Sequence, residues 1–241
     1  RFDHGDPESF CMQWDKQTRG GRGYRRLEQD REKAMADALG YGYLIPNNQW
    51  SPPFNPSYYA DLPSRDYNPD KAKELLAEAG YPNGVKLHII TIGIEAEILS
   101  VQQYLEDVGF DVELESVDNA KFWNYCYQGW TGLLNVGYAI GSDNFPSALK
   151  AYFGPTSVIN VSVKIPDEIL EKVDAALLEH DPVKAKALSD EIIKDLYDDC
   201  WMVPLYSNAM GFILHPDVKD SGIEAFADWS QWAPETCWLD R

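Results

Sequence analysis

Two stretches of this chain, "PDKAKELLAEAGYPNGVKLHIITI" (69–92) and "EILSVQQYLEDVGFDVELESV" (97–117), share one order: amphipathic helix, glycine, aromatic, strand. In the first, Asn68 is a good N-cap and Pro69 stands at the first helical position, where its missing N–H costs nothing. Asp70 falls in the first turn, where the helix dipole favours it. Ala72, Leu75, Leu76 and Ala79 recur at i, i+3, i+4 and i+7, which predicts one buried stripe. Gly80 supplies the left-handed position after the helix, Tyr81 folds back onto it, and Pro82 forbids continuation. A buried strand is predicted over 85–92. The second unit predicts a helix over about 94–108 and a strand over 111–117. Gly80 and Gly109 stand 29 residues apart. Helix alternating with strand at that spacing predicts a layered α/β fold rather than a solenoid.

The rest of the chain fits the same scheme. Asp118 predicts a cap for a third helix carrying "AKFWNYCYQ", followed by a strand over 132–140. A loop, "GSDNFPS", leads into a short helix. Two more helices are predicted at 166–179 and 182–199, each entered beside Pro and Asp. "CWMVPLYS" and "MGFILHP" read as late strands, and 226–241 as an aromatic-rich closing segment. Upstream, a helix beginning near Leu27 and stopped by Gly40 is plausible from its periodicity. The Pro-, Asn- and aromatic-rich stretch 43–69 reads as an ordered loop wrapping a surface. Residues 1–26 show weak periodicity and include the basic run "RGGRGYRR" (19–26), read as a loop. One α/β domain over 27–241 is the simplest count.

Composition narrows the function. With 39 acidic against 21 basic residues the net charge is −18, a field that repels nucleic acid and anionic membrane surfaces. No apolar run approaches the ~20 residues of a membrane span. The chain opens on Arg without a signal sequence, which reads as a processed product or an excerpt and leaves export open. Its four cysteines form no C-x-x-C pair, so zinc is not expected. One disulfide is compatible with export; Cys200–Cys237 is the preferred pair, and spacing alone does not fix it. The sequon Asn160-Val-Ser162 matters only in a eukaryotic secretory setting.

Catalytic and metal-binding patterns are missing. The histidines His4, His88, His180 and His215 make no H-x-x-x-H spacing, and there is no G-x-S-x-G elbow, P-loop or strand-linked G-x-G-x-x-G. Paired carboxylates such as Asp198/Asp199 or Glu113/Glu115 are what an acidic chain produces on solvated faces. No metal and no cofactor are expected. What stands out is a polar and aromatic run at a strand end: Asn135, Tyr138, Ser142, Asp143 and Asn144. Ligands of α/β sheets sit beyond the carboxyl ends of strands, where such groups converge. The same composition also caps helices and builds everyday loops.

Taken in order, "YNPDKAKELLAEAGYPNG", "YLEDVGFDVELESVD", "FWNYCYQGWTGLLNVGYAI", the stretch 166–208 and "HPDVKD" resemble the family 5 extracellular solute-binding proteins of ABC importers. The resemblance covers about 27–241. It implies a periplasmic-binding-protein-like (type II) lobe with a central mixed β-sheet flanked by helices. It further implies a C-terminal lobe whose N-terminal partner lobe lies outside the chain, with 1–26 an N-terminal extension or a remnant of the inter-lobe connection. The expected function is capture of a peptide-like or other small polar solute for a membrane permease, without catalysis, in a periplasmic or extracellular membrane-anchored protein. The alternatives are a carboxylate-dependent hydrolase using Asp143, and a protein-docking module. Peptide-binding relatives place an aspartate for the peptide amino group just past this strand; here Gly141 falls there, with Asp143 as its substitute. The resemblance puts Tyr138 at the strand's aromatic, and Asn119, Cys126 and Asn135 where relatives carry Trp or Arg contacts. Trp50 and Tyr206 complete the ligand-binding set with Asn144.

Overall fold

The computed structural model of the protein describes residues 3–5, 8–14, 37–39, 44–53, 55–63, 68–139, 144–200, 202–208, 210–212, 214–221 and 236–240. In chain order the strands among them are β1 (Asp3–Gly5), β2 (Glu8–Trp14), β3 (Leu44–Pro46), β4 (Val85–Ile92), β5 (Phe110–Val117) and β6 (Leu133–Ala139). They continue with β7 (Met202–Asn208), β8 (Met210–Phe212), β9 (Val218–Lys219) and β10 (Trp238–Leu239). The helices are α1 (Pro69–Glu78), α2 (Ala96–Glu106), α3 (Asn119–Gln128), α4 (Phe145–Phe153), α5 (Asp167–Leu178) and α6 (Pro182–Asp199).

Both helix–glycine–strand units form as the punctuation predicts. Asn68 Oδ1 accepts the Lys71 N–H at 2.8 Å at the start of α1. At its end the Tyr81 N–H reaches Leu76 O and the Gly80 N–H reaches Ala77 O, with Gly80 at φ +95°. This pair of bonds satisfies carbonyls that the helix leaves over. Asp118 caps α3 through the Lys121 N–H at 2.8 Å, and Asp181 caps α6 through Val183 N–H at 2.9 Å.

Six strands form one mixed sheet in the order β3-β7-β2-β6-β4-β5. Strand β4 runs parallel to β5 and β6, while β2 is antiparallel to both β6 and β7. Alternation along each strand divides the core between the two faces. Leu87, Ile89 and Leu133 pack with Leu76 of α1 and Ile98, Val101 and Leu105 of α2. Ile90, Leu134 and Val136 pack on the other face with Phe122, Leu149, Val173 and Ile192 of α3 to α6. Each such fully buried aliphatic side chain contributes about 1.5–3 kcal/mol. Lys172 of α5 ties the outer helices, reaching Asp195 at 2.5 Å and Glu191 at 2.6 Å on α6.

Several expectations change. Strand β2, which falls in the stretch of weak periodicity, lies inside the sheet, with Cys11 opposite Val136 on one side and Pro204 on the other. The stretch read as a surface loop supplies edge strand β3 and then enters the core, burying Asn47, Gln49, Trp50, Ser57 and Leu62. Gln49 makes this burial tolerable by exchanging hydrogen bonds with Tyr59, Nε2 to O at 3.0 Å and N–H to Oε1 at 2.9 Å. Cys200 and Cys237 are not joined, so the preferred disulfide does not form; Cys200 is buried at the end of α6 in a left-handed conformation, its thiol directed at Tyr197 O. Asn160 of the sequon is buried and donates to Tyr152 O, and Ser162 Oγ bridges the N–H and carbonyl of Trp130, so the folded chain offers no glycan acceptor there. Most of the helix begun at Leu27, the basic run 19–26, and Gly141, Ser142 and Asp143 lie outside the described residues.

Candidate functional site

Parallel strands bring their carboxyl ends to one edge, and the crossovers between them supply loops there. Thr91 and Ile92 end β4, Val117 ends β5, Asn135 and Tyr138 lie toward the end of β6, and Tyr206 to Asn208 end β7. Helices α2, α3 and α4 start from this edge. Asn144 is the N-cap of α4, its Oδ1 accepting the Ser147 N–H at 3.0 Å.

Among the expected residues the fold makes a clear division. Asn135 Nδ2 donates to Thr91 Oγ1 across β6 and β4 at 3.1 Å, while Asn135 Oδ1 is buried and takes no hydrogen bond from the described residues. Asn144 and Asn119 are exposed at the same edge, Asn119 in the first turn of α3. Tyr138 lies on β6 opposite Ser9 of β2. Asp143 lies outside the described residues.

Three members belong to the core instead. Trp50 is 4% exposed and meets Phe145, Tyr152 and Phe153 edge-on, with centroids 5.6–5.8 Å apart. Tyr206 is 7% exposed and packs on the α1/α2 face. Burial raises the ionisation of its phenol, and the charges of Glu97 and Glu95 raise it further, so the group stays neutral. Cys126 is buried on α3, and burial pushes its thiol up to about 11.

Other polar groups at the edge are absent from the sequence-based set. Ser57 Oγ accepts the Phe145 N–H at 3.1 Å, which pins the start of α4. Asn47 Nδ2 donates to Ser207 Oγ at 3.3 Å, which pins the end of β7. Thr91 was detectable as the one hydroxyl in an apolar strand, but its pairing with Asn135 follows from the β4–β6 register.

One member of each carboxylate pair singled out in the sequence is held in an ion pair. Glu115 is bound by Lys121 Nζ at 2.5 Å, by the Tyr125 hydroxyl at 3.1–3.2 Å and by His88 Nε2 at 3.0 Å. The Lys121 bond, aided by Tyr125, holds its carboxyl below the usual range, which makes it a weak base. Asp198 pairs with Lys194 one turn away on α6. Among the described residues no three His, Cys, Asp or Glu side chains are placed to hold a metal ion.

A mixed sheet between helical layers, with caps and polar groups along its carboxyl edge, defines a periplasmic-binding-protein-like lobe. The chain belongs to the bacterial extracellular solute-binding proteins, family 5, whose model matches residues 30–160. No curated protein matches its sequence. Among solved structures it is similar to DppA of Helicobacter pylori in complex with the peptide STSA, with TM-score 0.82 and 16% identity over 99% of this chain and 48% of that one. It is similar to AgaA of A. tumefaciens R10 in complex with agropinic acid, with TM-score 0.84 and 16% identity over 100% of this chain and 52% of that one. AppA of Bacillus subtilis in complex with a nonapeptide gives TM-score 0.79 and 18% identity over 100% of this chain and 52% of that one. The chain thus spans about half the length of the structures it matches.

Proposed function

We propose that the chain is the C-terminal lobe of the substrate-binding component of an ABC importer. It captures a peptide-like or other small polar solute against a second lobe and delivers it to a membrane permease, with no chemistry of its own. Family membership supports this reading, and one structural feature carries it. Strands β1 and β8 pair antiparallel, Asp3 opposite Phe212, and continue β2 and β7 beyond the carboxyl edge. A two-stranded ribbon next in sequence to β2 and β7, where polar groups gather, is suited to be the connection between two lobes, with β1 and β8 part of it and β2 belonging to the lobe.

The solute then meets Asn135, Asn144 and Asn119 at this edge, with Tyr138 and Asp143 completing the contacts. Ile92 and Ile94, 45% and 49% exposed beside it, offer apolar surface for the closing lobe or the solute. Among the described residues no helix is long and apolar enough to cross a membrane. The place of action is the periplasm or the extracellular face, where a lipid or protein anchor keeps the receptor near its permease.

A thermal-shift screen of the two-lobed receptor against peptides, oligosaccharides and metal chelates tests the assignment. A solute present at ~100 times its dissociation constant adds about 2.7 kcal/mol of stability. No shift with any class would count against solute binding. Turnover of a solute, abolished in Asp143→Ala, would assign an enzyme instead.

A further inference from the structure

Helix α3 leaves the carboxyl edge at Asn119 and turns two unlike sides to solvent. Its inner stripe, Phe122 and Cys126, is buried. Its one charged side chain, Lys121, is held on the β5 side by Glu115 at 2.5 Å. Beyond Asn119 the other exposed positions are Ala120, Trp123, Asn124, Tyr127 and Gln128, and none of them is charged.

Trp123 and Tyr127 are four residues apart, hence on one side of the helix, and keep 44% and 48% of their surface in water. Their ring planes are 28° from parallel, with centroids 6.1 Å apart. The buried Phe122 ring meets the indole edge-on, at 6.0 Å and 87°, which holds its tilt. A lone exposed ring needs no explanation, whereas two adjoining rings in fixed orientation form a contiguous apolar patch of the kind that marks a binding surface. Rings already held lose little freedom when a partner lands on them.

What fits the patch follows from its borders. Asn124 lies beside Tyr127 at i−3, and Gln128 is one turn on from Asn124, so amides that both donate and accept flank the rings. A pyranose chain meets each of these features. Its C–H faces cover aromatic rings, its hydroxyls exchange hydrogen bonds with amides, and it brings no charge into the field of a chain with net charge −18. Nucleic acid also stacks on exposed rings, but that field repels it. A proline-rich peptide covers rings too, yet its proline nitrogens carry no N–H for the amide oxygens. We infer that the Trp123–Tyr127 side of α3 is a docking surface for a neutral polysaccharide built of pyranose units. It is a second site: the rings stand one and two turns along α3 from the edge assigned to the solute, and a single helix carries them, so no closing lobe is required.

The test is co-sedimentation of the two-lobed receptor with insoluble cellulose, chitin and xylan, and with beads bearing a proline decamer. A polymer strand cannot be enclosed as a small solute is, so retention reports the outer surface. Retention on at least one polysaccharide is expected. Trp123→Ala and Tyr127→Ala are each expected to weaken it at least about tenfold, with melting temperatures within about 4 °C of the parent because both side chains are exposed. Lys121→Ala, on the other side of the helix, is expected to leave retention unchanged. Retention on none of the three polysaccharides, or retention that survives both ring variants, overturns the inference. Retention on the proline beads alone overturns it in favour of a peptide dock. Self-association of the parent that Tyr127→Ala abolishes overturns it in favour of an interface between copies. Each of these outcomes leaves solute capture at the carboxyl edge standing.

Discussion

A Cβ added to Gly84 would stand 2.2 Å from the carbonyl oxygen of Gly109, and that oxygen accepts the Val85 N–H at 3.2 Å. The turn of the first helix–strand unit thus rests directly on the glycine that ends the second helix. From this contact β4 and β5 run in parallel, Val85 opposite Phe110 through Ile92 opposite Val117. The two units that look like an echo in the sequence are neighbours in the sheet, joined at their glycines.

Gly84→Ala is therefore expected to destabilise the fold by about 2–4 kcal/mol, since the new methyl meets backbone and the residue sits at φ +90°. Gly80→Ala provides the comparison. Gly80 sits at φ +95° with nothing within 4 Å of an added Cβ, so only backbone strain is incurred, about 1 kcal/mol. Urea melts of the two variants test the difference. Equal losses would show that the close approach to Gly109 contributes nothing.

Local punctuation was legible in the sequence wherever a short-range hydrogen bond decides the structure. The Asn68, Asp118 and Asp181 caps and the bonds after α1 follow from residues within five positions of each other. What the sequence hid was long-range. Strand β2 has neighbours 119–131 residues away on one side and 189–198 on the other, and no periodicity in 1–26 announces such partners. Trp50 illustrates the same limit at the site. An aromatic beside Pro and Asn reads as a loop ring, and only the packing of α4 against it shows a core residue. The placement of Asn135 near the end of a strand and of Asn144 at the start of a helix was legible because polar residues there have few other places to go.

Trp50→Ala is expected to cost about 3–5 kcal/mol, the range for emptying a buried aromatic site, whereas Trp50→Phe retains most of the edge-on contacts. Thermal melts distinguish a core role from a cleft role. A Trp50→Ala protein that melts like the parent yet binds solute poorly would return this ring to the ligand site.

Thiol reactivity follows burial. At pH 8 a thiol pushed up to about 11 is only ~0.1% thiolate, so Cys126 is chemically silent in the native state. Cys200 is buried, and Cys237 is partly exposed. Brief maleimide treatment of the native chain should label the Cys237 peptide and spare those of Cys126 and Cys200 until denaturant is added. Native labelling of Cys126, or a Cys200–Cys237 disulfide in a non-reducing peptide map, would contradict the packing described.

The Glu115 cluster sets a pH window. Lys121 and Tyr125 hold the folded-state ionisation of Glu115 below its ordinary value of 4.5, while Glu115 holds that of Lys121 above 10.5. A depressed carboxylate contributes stability that is present above its unfolded value and is lost as pH falls through the folded one; a raised lysine contributes stability that is lost as pH rises through its folded value. Both statements describe one interaction, so it is complete between about pH 5 and pH 10 and counts once. Solvent screens a pair this exposed, which limits the effect in Glu115→Gln to less than about 4 °C in melting temperature at pH 7. The gap between parent and variant should shrink at pH 4 and close near pH 2, where both side chains are neutral. Melting temperatures at pH 7, 4 and 2 check this, and a gap that stays constant would mean that Glu115 acts through shape and hydrogen bonding rather than charge.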